Sequence, residues 1–159
     1  MRISQTMMGG LRIDVEDEAD WRLLWMIIED AQSGEESLAI RLAGTIADEE
    51  VAADWSEWVV PDLEKGFNAE LAFVKMVIET ARKEAGGVAG PLWIIPREAP
   101  RWYGALNQAR LALEVRYHFG PSDQIDLAKL PVEKRNAFVR SQFYCALQSA
   151  LLEHAMEQP

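Results

Sequence analysis

Tyr103, Asn107, Arg110 and Glu114 recur at 4,3,4 spacing, which lays a phenol, an amide, a guanidinium and a carboxylate along one stripe of a helix. Leu106, Ala109 and Leu113 fall on the neighbouring stripe, so the polar four stand at the edge of an apolar face. A guanidinium is a rigid fork of N–H donors that suits a buried carboxylate or an arriving anion. Two readings follow. One is a structural clasp that fixes helix register, with Glu29 or Asp30 as the partner of Arg110. The other is an anion- or partner-binding site. The clasp is favoured, because a charge beside a core is tolerated only when it is paired.

Other chemistry finds less support. Glu114 and His118 are i, i+4 and offer a metal-ligand pair, but the further carboxylates and Glu-x-x-His pairs of a di-metal bundle are missing from the sequence. His118 fits better as a histidine meeting the negative end of a helix dipole. Glu153 and His154 are adjacent and point to different faces. No Gly-x-Ser-x-Gly elbow occurs, and the 86–91 run Gly-Gly-Val-Ala-Gly-Pro lacks the Lys-Ser/Thr of a phosphate loop. Cys145, the single cysteine, cannot form an internal disulfide; in an apolar stretch it behaves as a small hydrophobe and points to a cytoplasmic compartment. Neither a metal nor a cofactor is expected.

The elements that position these residues are mostly helical. Residues 2–6 and 11–15 alternate apolar with polar around Met8-Gly9-Gly10, which predicts a β-hairpin. Asp17 caps a helix to about Gln32, with Trp21, Leu24, Trp25 and Ile28 inward. Residues 37–60 are ambiguous: Leu38, Ile40, Leu42 and Ile46 suit a short helix or an irregular stretch, and Asp48 suits the cap of a helix carrying Val51, Trp55 and Trp58. Pro61 reads as a boundary at the first turn of a long helix, on which Leu63, Phe67, Leu71, Val74, Ile78 and Ala81 keep helical spacing. Trp93-Ile94-Ile95 can add an edge strand to the hairpin. A helix from 96–100 to Gly120 holds Trp102, Leu106, Ala109 and Leu113, and Pro131 opens a last helix to about Glu157 with Val132, Val139, Phe143, Ala146, Leu147, Ala150 and Leu151 inside. Most of the six tryptophans are expected in the core. The sum is a mostly α fold: one domain over 1–159, a bundle of four or five helices with a small N-terminal β-hairpin.

The run Trp-x-x-Ala-Leu-Asn-x-x-Arg-Leu-Ala-Leu at 102–113 resembles a signature of the bacterial domain-of-unknown-function family numbered two thousand and seventeen. The order of hairpin, apolar helix, acidic connector and long helix is similar too, to about residue 118. The long basic C-terminal helix and the tryptophans are departures from that pattern. The resemblance implies no catalytic residues. It implies a setting near Clp-type regulated proteolysis.

Charge bounds the partners. Residues 14–54 hold thirteen acids against Arg22 and Arg41, while the rest of the chain after them is nearly balanced. Such a face repels phosphates, so nucleic acid is not an expected partner, and it attracts basic surfaces. No apolar run approaches the roughly 20 residues of a membrane span, and no signal-peptide pattern opens the chain. The sequence therefore points to a non-enzymatic interaction or regulatory module with a basic protein partner or a second copy of itself. Its rivals are a small-molecule or anion-binding enzyme anchored on Asn107 and Arg110, and a purely structural domain.

Overall fold

The computed structural model describes residues 1–121 and 124–156. Strands β1 (Arg2–Gln5) and β2 (Leu11–Val15) form the expected hairpin, and β3 (Gly90–Ile94) pairs antiparallel with β2, so the sheet order is β1-β2-β3. Alternation decides its faces: Leu11, Ile13 and Val15 point inward from β2, and Leu92 and Ile94 join them from β3. The opposite face carries Arg12 stacked over Trp93, which leaves that tryptophan half exposed.

Among the described residues there are six α-helices: α1 (Glu18–Ala31), α2 (Leu38–Ala43), α3 (Glu49–Asp54), α4 (Val60–Glu84), α5 (Ala99–Tyr117) and α6 (Val132–Leu151). Local chemistry fixes most ends. The Asp17 carboxylate accepts from Asp20 N, Ser37 Oγ from Ile40 N, and Asp48 from Glu50 N and Val51 N. The close of α4 runs through Gly86 and Gly87, both at positive φ, and α5 stops where His118 turns left-handed at φ 47°. The end proposed for the last helix, Glu157, lies outside the described residues, as does Asp123 of the preceding loop.

Helix α5 is the central post. Ala99, Trp102, Ala105, Leu106, Ala109 and Leu113 are all but sealed from solvent, because α1, α4 and α6 each pack against it. The main core joins these to Trp21, Leu24 and Ile27 of α1, to Leu71, Val74 and Ile78 of α4, and to the inner face of the sheet. Two long-range bonds close the shell: Trp21 Nε1 donates to Val88 O at 2.7 Å, and Gly10 N donates to His154 O at 3.0 Å.

Three expectations need correction. Pro61 stands in the first turn of α4, as its chemistry suggests, but it marks no break in the chain. The chain is helical without a break from α3 into α4, through a wide π turn at Trp55–Val59 in which Val60 N bonds to Trp55 O. Proline has no N–H and crowds the carbonyl four residues back, and the wider turn relieves that crowding without ending the helix. The tryptophans are not mostly core: Trp21 and Trp102 are buried, Trp25 and Trp55 are half-buried, and Trp58 is 70% exposed. Finally, Val132, Val139 and Ala146 of α6 face solvent, and the inward face carries Ala137, Phe138, Tyr144, Leu147, Gln148 and Leu151. Phe143, Leu147, Ala150 and Leu151 do pack on the core as their spacing suggests, and three inward-facing positions of α6, Arg140, Tyr144 and Gln148, are polar.

Candidate functional site

Those three positions build the polar seam of the bundle. Arg140, Tyr144 and Gln148 stand at i, i+4 and i+8, one above another on α6. Asp30, at the end of α1 and 4% exposed, accepts from Arg140 Nε at 2.7 Å, from Arg140 Nη2 at 2.9 Å and from Tyr144 OH at 2.7 Å. The fork grips both carboxylate oxygens and the phenol adds a third donor, so the buried charge is satisfied. Burial, and then the Asp30 charge beside it, push the Tyr144 phenol far above its ordinary range, which keeps it a neutral donor. The hydrogen bond to Asp30 raises Arg140 further.

One turn up the seam, Gln148 bridges α6 to α5. Its Oε1 accepts from Arg110 Nη1 at 2.6 Å and its Nε2 donates to Tyr103 O at 3.2 Å. Arg110 has no carboxylate partner among the described residues, and its Nε is buried without a hydrogen bond. The sequence stripe is therefore divided. Tyr103, through its backbone carbonyl, and Arg110 meet at Gln148. Asn107 lies beside them, half-buried. Glu114 is exposed and accepts from Gly120 N at 3.3 Å, holding the loop after α5. The partnership expected between Arg110 and Glu29 or Asp30 does not form: Arg140 takes Asp30, and Arg22 takes Glu29 through two bonds. Buried acid and arginine do clasp two helices, but the arginine comes from α6. Arg140, Tyr144 and Gln148 sit among apolar residues, which hides the seam in the sequence; their strict spacing of four is its one signal there.

A second polar contact joins α4 to α5. Gln108, which is buried, donates from Nε2 to Glu70 Oε2 at 2.9 Å and to Phe67 O at 3.3 Å. The Glu70 carboxylate lies against Gly104, where any Cβ would collide with it. No cation pairs with Glu70 among the described residues, and desolvation raises its pKa above the ordinary carboxylate value, against the Gln108 bond that lowers it.

The third feature is a projecting arm. Helix α3 buries no residue and continues through the π turn into α4, resting on a small separate core of Ala39, Ala43 and Val60 with Trp55, Leu63 and Phe67 packed against it. No Lys or Arg occurs from residue 42 to 64. Asp48, Glu49, Glu50, Asp54, Glu57 and Asp62 are all exposed, and among the described residues none is in an ion pair. Between them Val51 is 52% and Trp58 70% exposed.

Among the described residues, no three His, Cys, Asp or Glu side chains converge as a metal site would require, and no helix is long and apolar enough to cross a membrane. Residues 9–155 match the family described as a domain of unknown function (DUF2017). That match runs beyond residue 118 and takes in α6, so the seam of Arg140, Tyr144 and Gln148 lies within it. No curated protein and no solved structure matches the chain.

Proposed function

The chain belongs to the DUF2017 family, and on that premise we propose that it is a non-enzymatic protein-interaction module whose arm, residues 48–62, engages a basic protein surface. The observation that carries this reading is the exposed Trp58 and Val51 within a stretch of six acids, unpaired among the described residues, and no base. Tryptophan is a common energetic anchor of protein interfaces, and a ring of one charge around it selects the opposite charge and hastens encounter. A self-paired arm is the weaker choice. A twofold contact would set six acids of one copy against six of the other. Components of Clp-type regulated proteolysis are the first partners to test, on the resemblance alone.

The anion-site alternative at Asn107 and Arg110 has less in its favour, because Gln148 already holds the guanidinium.

The test replaces Trp58 with a photo-crosslinking phenylalanine in the native cell, with Met76 of α4 (53% exposed) as the control position. A discrete basic protein should be captured at 58 and not at 76. Capture should fall when Glu49, Glu50, Asp54 and Glu57 are changed to Lys. Equal labelling at both positions, or capture indifferent to the charge reversal, defeats the proposal.

A further inference from the structure

Two adjoining clefts open between the 33–37 connector, α2, α4 and α5. One, of about 490 Å³, has Ser33, Arg41 and Val115 in its wall; the other, of about 330 Å³, has Glu64, Phe67 and Leu71; Gly34, Glu36, Arg41 and Ala112 line both. Arg41 thus stands at their junction. Among the described residues its Nη1 reaches only Leu111 O, at 3.4 Å, and its Nε is buried without a partner. Residues 14–54 hold thirteen acids, yet among the described residues none pairs with Arg41, whereas Arg22, the other base of that stretch, is fully taken by Glu29.

Glu64 faces the same space from α4. It is half-buried, its Oε1 accepts from Ser37 Oγ at 2.7 Å, and no Lys or Arg pairs with it among the described residues. Ser37 and Arg41 are i, i+4, so the carboxylate held by Ser37 and the guanidinium border the same cleft. A half-buried charge left without its counter-charge is costly, and here two of opposite sign border one cavity without meeting. Ala112, Phe67, Leu71 and Val115 supply apolar wall beside them.

We propose that this cleft binds a small zwitterion with an apolar body, of the free amino-acid class. The ligand carboxylate lies on Arg41, its ammonium group meets the free oxygen of Glu64, and its side chain rests on the wall of Ala112 and Phe67. The surroundings select against singly charged ligands. A plain anion meets Glu35 and Glu36 at the rim as well as Glu64, and the other cation in the wall, Arg116, is already paired with Glu133 at 3.2 Å. A plain cation leaves Arg41 unpaired. The cleft and the arm are separate surfaces, so this inference stands whether or not residues 48–62 bind a protein.

The experiment is calorimetric titration of the full chain with leucine and phenylalanine. Two controls each lack one charge: 4-methylpentanoate has no ammonium group and 3-methylbutylamine no carboxylate. Leucine or phenylalanine should bind saturably, with each control weaker by about tenfold or more. Arg41→Met should abolish leucine binding while its far-ultraviolet dichroism and thermal midpoint stay near those of the parent, since Arg41 makes a single long bond. Glu64→Gln should erase the preference for leucine over 4-methylpentanoate. Absence of binding by both amino acids at millimolar concentration overturns the proposal. So does equal affinity for 4-methylpentanoate, or undiminished binding by folded Arg41→Met.

Discussion

Asp30 shows how a few donors decide whether a buried charge holds a fold or breaks it. Three hydrogen bonds reach its carboxylate, two from Arg140 and one from Tyr144. Asp30→Ala leaves Arg140, whose side chain is 19% exposed, without its counter-ion, and should cost about 3 kcal/mol or more in urea unfolding. Tyr144→Phe removes one bond to a charged acceptor and should cost less, about 1.5–3 kcal/mol. Equal losses would mean that the phenol, not the ion pair, carries the joint. Glu70 behaves oppositely. Its folded pKa is raised, so its contribution is full below the unfolded carboxylate range and is lost as pH rises through the folded value. Glu70→Gln should therefore raise the thermal midpoint at neutral pH, and the gain should vanish on acidification below the ordinary glutamate pKa of about 4.3. A pH-independent difference would place the effect in packing instead. That an acid near the end of α1 clasps an arginine could be read from the sequence. Which arginine could not, since the choice between Arg110 and Arg140 depends on how α6 returns along α1 and α5, and spacing within one helix does not contain that.

Elements were legible wherever one periodicity ruled. Helices α1, α4 and α5 bury the faces their spacing marks, and β2 buries alternate residues because its strand has a single wet side. Where a pattern has two physical causes, spacing alone does not choose between them. Trp55 and Trp58 lie within one helical turn of each other, as core residues do, but the same spacing serves an apolar strip exposed to solvent. Pro61 signals the first turn of a helix, which it occupies in α4, but the same signal does not tell a true start from a widened turn inside a continuous helix. The hairpin illustrates a constraint that is both local and tertiary. Gly10 sits at φ 88° and donates to His154 O, and a Cβ there would collide with the Ile94 carbonyl of the neighbouring strand segment. Neither obstacle can move cheaply, because one is the residue's own backbone conformation and the other is a strand-end carbonyl. Gly10→Ala should cost at least about 2 kcal/mol and loosen both the turn and the C-terminal end. Gly86→Ala, also at positive φ but with open space around it, should cost roughly 1 kcal/mol. The contrast, read from chemical unfolding of the two variants, separates strain shared by both from the collision unique to Gly10.

At the scale of the molecule, stability and charge are distributed in the same way. The main core gathers α1, α4, α5, α6 and the inner face of the sheet, while α2 and the arm rest on the small cluster of Ala39, Ala43 and Val60. Free energy of local opening follows the apolar area that opening exposes, so the region of residues 38–59 should open without disturbing α5. Six exposed acids of the arm, unpaired among the described residues, add mutual repulsion that salt will screen. Native-state hydrogen exchange should show amides of α2 and α3 exchanging at far lower opening free energies than those of α5, with the gap narrowing as ionic strength rises. Protection of α2 equal to that of α5 would mean that the two clusters unfold as one unit. The prediction bears on both proposed surfaces. Arg41 and the Ser37 hydroxyl that holds Glu64 both lie on or at the start of α2, and Trp58 lies on the turn that α2 supports. A zwitterion seated between Arg41 and Glu64 would cross-link α2 to α4 and slow exchange across residues 38–43. A basic partner on Trp58 would slow it in residues 48–59. Because the regions differ, one exchange measurement with leucine present distinguishes ligand binding in the cleft from a general tightening of the arm.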